Sequence, residues 1–196
     1  MPQRDIQLCA GEHYHLYNRG NNRERIFYER ENYFFFLQRL RKYLIPALDI
    51  VVYCVMPTHY HLVVRVNQTS EVSETSGVSK AMMQFSVSYT KAMNRRYDRV
   101  GALFQGPFRA KHVNQNDYLV HLSRYIHLNP VTDGLVQRPE DWEFSSYRGY
   151  IGVRHGTLPT PEIVLSQFPS RDAYRKFVES YTVDDREIIA DLLFQR

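Results

Sequence analysis

Long apolar runs are missing from this 196-residue chain. The longest, Ile50 to Met56, falls far short of the ~20 residues a membrane-spanning helix needs, so no such helix is expected. The opening stretch, Met1-Pro2-Gln3-Arg4-Asp5, lacks the apolar core of a secretory signal. Cysteine is scarce: Cys9 and Cys54 alone provide no disulfide framework, and Cys54 reads as a small buried thiol in an apolar strand. Together these absences point to the cytoplasm. Low-complexity tracts and internal repeats are also lacking, which excludes fibrous and solenoid architectures. What remains, 43% apolar and 23% charged residues, is the composition of a globular domain long enough to bury a core.

The net charge of +4 is unevenly spread. From Lys80 to Lys111 there are seven Lys and Arg against one acid, Asp98, whereas Glu140 to Arg196 holds ten acids and seven bases. A basic central block beside a mildly acidic tail suits a local polyanion surface. A solvated face has the same composition, so charge alone does not decide between them.

His13 to Asn18 alternates as a strand, and Arg19-Gly20-Asn21-Asn22 is turn chemistry. Glu29 to Leu44 carries Tyr33, Leu37, Leu40 and Leu44 at helical spacing and stops before Pro46. Ile50 to Met56 and His59 to Val66 are strands joined by a turn at Pro57-Thr58, and Gln68 to Gly77 is a loop. A helix follows from about Ser79 to Tyr97, then a broken strand from Ala102 to Val113 interrupted by Gly106-Pro107. Asn116 is the expected N-cap of a helix that Pro130 ends. Beyond Pro159 short helices are expected, with Ser170 and Asp184 as caps. This order is a ferredoxin-like α+β pattern, an antiparallel sheet with helices on one face.

Chemistry concentrates in two places. His59 and His61 flank Tyr60 in a β-branched run, so a period of two puts both imidazoles on one face and the tyrosine on the other. Two imidazoles projecting together are half of a metal site. Tyr125 and Asn129 lie four apart on a helix and share a face. Two nitrogens and one amide oxygen suit a divalent ion with open positions for substrate oxygens. A phenol beside that ion is a nucleophile for a phosphodiester. A Tyr/Asn pair that only packs and caps the helix is the competing reading.

The residues carry a resemblance that bears on this choice. YHLYNRGNNRERIF (14–27), YCVMPTHYHLVV (53–64), SYTKAMNRRY (88–97), GALFQGPFRAKHV (101–113), SRYIHLNPVTDGLV (123–136) and WEFSSYRGY (142–150) stand in order along the chain. In these blocks it resembles the REP-associated tyrosine transposases, a branch of the single-tyrosine HUH endonucleases. The resemblance implies an HUH transposase domain over residues 1–150 and a C-terminal helical extension over 151–196. It implies Tyr125 as nucleophile, and His59, His61 and Asn129 as ligands of Mg²⁺ or Mn²⁺. The implied reaction nicks and rejoins single-stranded DNA next to hairpins formed by REP-type palindromes, through a 5′-phosphotyrosine link. Partners are then hairpin-bearing DNA at the nucleoid and no membrane, with monomer and homodimer both open. Tyr60 departs from the bulky hydrophobe usual at the middle position. No second tyrosine stands three or four residues from Tyr125, which disfavours a two-tyrosine replication initiator.

Arg19, Arg23, Arg95, Arg96, Arg109 and Lys111 are candidate phosphate contacts, and Phe104 a candidate base-stacking ring. His121, four residues before Tyr125, is a candidate proton acceptor. His13 and His15 repeat the alternating spacing on the first strand, within reach of the metal edge or of DNA, although an ordinary hydrogen bond is the plainer role. Two rival functions stand beside the transposase: a domesticated hairpin-DNA-binding protein with little or no cleavage, and a zinc hydrolase using His59, His61 and a third histidine.

Overall fold

Alternation builds the sheet. In the computed structural model, which describes residues 6–67 and 75–181, four strands form one antiparallel sheet. They are β1 (His13–Arg19), β2 (Leu48–Val55), β3 (His59–Val66) and β4 (Arg109–Val113), in the order β2-β3-β1-β4. The helices are α1 (Arg30–Leu44), α2 (Thr75–Arg96), α3 (Asn116–Thr132), α4 (Tyr147–Tyr150), α5 (Glu162–Leu165) and α6 (Arg171–Glu179). β1 to α3 thus follow the order expected of a ferredoxin-like α+β fold.

Even-numbered residues of β1 and β3 (Tyr14, Leu16, Tyr60, Leu62 and Val64) enter a core with Phe36 and Leu40 of α1 and Phe85 and Tyr89 of α2. On the opposite face, Val52, Cys54, Val63 and Val113 pack against Leu119, Leu122 and Ile126 of α3. The helices therefore cover both faces rather than one, because α3 supplies its own apolar stripe to the second face. β2 reaches both cores through a bulge at Ile50/Val52. Consecutive Val51 and Val52 both join the second core, before Tyr53 and Val55 return to the first.

Two helix boundaries differ from the sequence expectation. Asn116 opens α3 rather than capping it, the cap position being Gln115. Pro130 lies inside the helix, which continues to Thr132. Proline there removes one N–H bond and crowds the carbonyl of Ile126, yet the final turn still closes, with Asp133 N donating to Asn129 O at 2.9 Å. The strand expected over 102–113 is ordered as β4 plus a single bridge between Gly20 and Phe104. α2 begins within the loop expected over 68–77, whose first part, 68–74, lies outside the described residues, as does Asp184.

The C-terminal segment is built into the second core. Val164, Tyr174 and Val178 are buried there with α3, and Ser170 caps α6 by accepting from Ala173 N at 3.1 Å. Residues 144–160 also cover the outer edge of β2, where Val55 N donates to Phe144 O at 3.0 Å and Thr160 N to Ile50 O at 2.7 Å. An edge paired this way is closed to intermolecular strand addition. Among the described residues no helix is long and apolar enough to cross a membrane.

Candidate active site

On the α3 side of the sheet the odd-numbered residues of β3 and β1 stand side by side. The register pairs His61 with Tyr17 and His59 with Arg19, and directly opposed residues share a face. The rings of His59 and His61 are 5.1 Å apart and nearly perpendicular. Tyr60 points the other way and is wholly buried against Phe36, Phe85 and Phe104.

Helix α3 crosses this face and brings Tyr125 edge-on to His61, ring centres 6.2 Å apart. His59, His61, Tyr125 and Asn129 line one cleft of about 190 Å³. Tyr125 keeps 7% of its surface exposed, while His61 and Asn129 keep 1% each. Asn129 Nδ2 donates to the carbonyl of Tyr125 at 3.1 Å, which fixes the amide and leaves Oδ1 buried with no hydrogen-bond partner. An acceptor in that state costs about 1–3 kcal/mol, a cost that a bound cation removes. Among the described residues no three His, Cys, Asp or Glu side chains cluster as a cation site. Asn129 brings an amide oxygen to the cleft that the two imidazoles line, and two nitrogens with such an oxygen are a donor set that would fit a divalent ion.

Both histidines are held from behind. His15 Nε2 lies 2.9 Å from His61 Nδ1, and Thr58 Oγ1 lies 3.0 Å from His59 Nδ1. Tyr17, beside His15, has its phenol pKa raised by burial, partly offset by the Arg109 guanidinium.

Arg19, Arg23 and Asp133 also line the cleft. A 3-10 turn over Asn21–Arg23 carries Arg23 there, with Asn22 and Arg23 both in the left-handed region at φ 52° and 59°. Such backbone costs about 1–3 kcal/mol per residue and collects at functional sites. Gly20 before it is required by space, since a Cβ would stand 2.1 Å from the carbonyl oxygen of Glu24. Arg109 and Lys111 on β4 pair with Tyr17 and His15, extending the cationic face along the sheet from the cleft.

Other candidates lie elsewhere. Arg95 and Arg96 end α2 and line a groove with Phe34 and Phe35, and Arg96 pairs with Glu29 at 2.6 Å. Phe104 is 6% exposed and packs on Tyr60 and Tyr89, so its ring belongs to the core rather than to a base-stacking surface. His121 Nδ1 is 2.9 Å from Arg124 and its ring meets Phe177. It faces the C-terminal segment and does not line the cleft, which also removes it as a third ligand in a zinc site.

Thr58, Tyr17 and Asp133 are the site residues that sequence reasoning did not single out, and for His15 it favours only an ordinary hydrogen bond. Alternation on β1 carried the signal for His15 and Tyr17. For Asp133 the signal was its spacing, one helical turn beyond Asn129. Between the site residues of α3, His127 faces the opposite way. It is fully buried, with Nδ1 2.7 Å from Tyr174 Oη and Nε2 2.7 Å from Ser146 Oγ. Burial pushes its pKa down to about 3.

The chain is similar in fold to a solved structure described as "Structure of the REP associates tyrosine transposase bound to a REP hairpin". The two share 18% identity over 81% of this chain and 97% of that one, with a TM-score of 0.60. No curated protein matches the chain. The profile of the family described as "Transposase IS200 like" matches residues 10–129, a span that takes in β1 through Asn129 of α3. By that match the chain belongs to the IS200-like transposase family.

Proposed function

We propose that the chain is a metal-dependent enzyme that nicks and rejoins single-stranded DNA beside hairpins, with Tyr125 as nucleophile. The observation that carries this reading is the convergence of Tyr125, Asn129, His59 and His61 on one cleft, with the Asn129 oxygen lacking a hydrogen-bond partner. Membership of a transposase family supports the reaction class. The fold shared with a protein solved on a REP hairpin supports hairpin DNA as substrate.

His59, His61 and Asn129 would hold Mg²⁺ or Mn²⁺, and the chemistry such an ion supplies is charge neutralisation of the scissile phosphate. Tyr125 Oη attacks phosphorus, forming a P–O bond to the phenol oxygen while the bond to the 3′-oxygen breaks. The phenol proton is lost and the departing 3′-oxygen takes one up, leaving a 5′-phosphotyrosine and a free 3′-hydroxyl. Attack by another 3′-hydroxyl reverses the step, so joining needs no nucleotide cofactor. Arg19 and Arg23 contact flanking phosphates, which fixes the strand in register without reading its sequence. Tyr125 stands beside the histidines of its own chain, which supports action in cis by a single chain. The catalytic unit we propose includes residues beyond 150, since α6 packs on α3.

The test is incubation of the full chain and Mn²⁺ with 3′-labelled single strands from the flanks of its own gene, resolved on a denaturing gel. A labelled protein band is expected, absent with EDTA and with Tyr125→Phe. Tight hairpin binding without such a band would instead establish the binding-only alternative.

A further inference from the structure

His15 is a histidine with no exposed surface, in a strand where a leucine would bury more cheaply. Its ring and that of His61 have centres 5.1 Å apart and planes 24° apart, and the nitrogen-to-nitrogen contact is 2.9 Å. One proton occupies such a bond, and its position matters. If His15 donates, neutral His61 accepts at Nδ1 and carries its own proton on Nε2, where it blocks a metal. If His61 donates from Nδ1, its Nε2 carries a lone pair. The contact between Thr58 Oγ1 and His59 Nδ1, at 3.0 Å, offers the same choice, and the hydroxyl can accept.

We propose that His15 and Thr58 are positioning residues that hold His61 and His59 as their Nδ1–H tautomers. Both imidazoles then present Nε2 to one divalent ion. The inference rests on reading His59 and His61 as metal ligands. It assigns the metal affinity partly to two residues that never touch the metal. Partners of this kind typically account for about 10–100-fold in affinity. The hydrogen bond comes from β1 and the ligand from β3, so the pairing register of the sheet sets the tautomer.

The test uses the full chain with Mn²⁺, whose free ion is counted by electron paramagnetic resonance. His15→Leu keeps the apolar volume and removes the acceptor; it is expected to weaken Mn²⁺ binding about 10–100-fold. His15→Gln offers an amide oxygen to His61 Nδ1–H and is expected to restore most of that loss, with Thr58→Val weaker than wild type. Long-range ¹H–¹⁵N spectra of histidine-labelled, metal-free protein are expected to show His59 and His61 protonated on Nδ1. This arm needs neither metal nor a variant that folds. Wild-type affinity in His15→Leu, no difference between Leu and Gln, or Nε2–H tautomers would each overturn the proposal. Complete loss of binding in His15→Leu, equal to that in His61→Ala, would make His15 a ligand and also overturn it. Failure of the wild type to bind Mn²⁺ would instead refute the metal site itself, with the tautomer spectra still deciding the role of His15.

Discussion

The side-chain amide of Asn129 donates to the backbone carbonyl of Tyr125, one turn earlier on α3, at 3.1 Å. The bond fixes the amide of a residue that lines the cleft with Tyr125, and the amide oxygen finds no protein partner. Asn129→Leu removes a bond worth about 1 kcal/mol and an unsatisfied acceptor costing about 1–3 kcal/mol. The metal-free variant is therefore expected to be as stable as wild type or slightly more so. Mn²⁺ at 100 times its Kd stabilises the wild type by about 2.7 kcal/mol, and the variant is expected to gain almost nothing. Thermal melts with and without Mn²⁺ decide this; equal gains would remove Asn129 from the metal site.

Arg23 and Arg95 give a contrast within the basic block. Arg23 lines the cleft and Arg95 lines a different groove across the sheet. Arg23→Ala is expected to weaken single-strand binding and to lower the slope of log affinity against log salt by about 0.7. Arg95→Ala is expected to leave the slope unchanged. Fluorescence anisotropy across a salt series measures both, and an effect of Arg95 equal to that of Arg23 would move the strand's path off the cleft.

How far the sequence carried the reading depends on which residues had to meet. Period two alone separated His59 and His61 from Tyr60, and a four-residue step joined Tyr125 to Asn129. Those rules are local, and the structure keeps all four in one cleft. The contact between His15 and His61 needs the register of β1 on β3, which a single strand does not encode. Residue type alone points Phe104, Arg95 and Arg96 towards DNA, yet their positions follow from packing: α2 lies across the sheet from the cleft, and Phe104 fills space beside Tyr60. Helical spacing puts His121 near Tyr125, and contacts with Arg124 and Phe177 turn it away.

His127 makes stability sensitive to acid. Its pKa is about 3 in the fold, set by burial, against ~6.5 in an unfolded chain. Between those values the unfolded state binds a proton that the folded state does not. Its contribution is full above about pH 6.5 and falls as pH drops towards 3, by about 1.4 kcal/mol per pH unit. Urea midpoints measured from pH 7 to pH 5 are expected to fall less in His127→Gln than in wild type. Parallel curves would mean that His127 is not the group responsible.

Tyr174 tests whether the C-terminal segment belongs to the catalytic unit. It is fully buried, contacts Ser123 and His127 of α3 at 3.0 and 2.7 Å, and lies outside the residues matched by the family. Tyr174→Ala is expected to cost about 3–5 kcal/mol and to show one cooperative unfolding transition at a lower urea midpoint. Two separate transitions would restore an independent extension.

Tyr125, and no other tyrosine of the chain, is expected to take the DNA. The most direct measurement is peptide mass spectrometry of the protein after reaction with a cleavable single strand and Mn²⁺, followed by nuclease trimming. A nucleotide phosphate is expected on the tryptic peptide beginning at Tyr125, at the tyrosine itself. A nucleotide on Tyr17, Tyr60 or Tyr118, or cleavage of the strand with Tyr125 left unmodified, would contradict it.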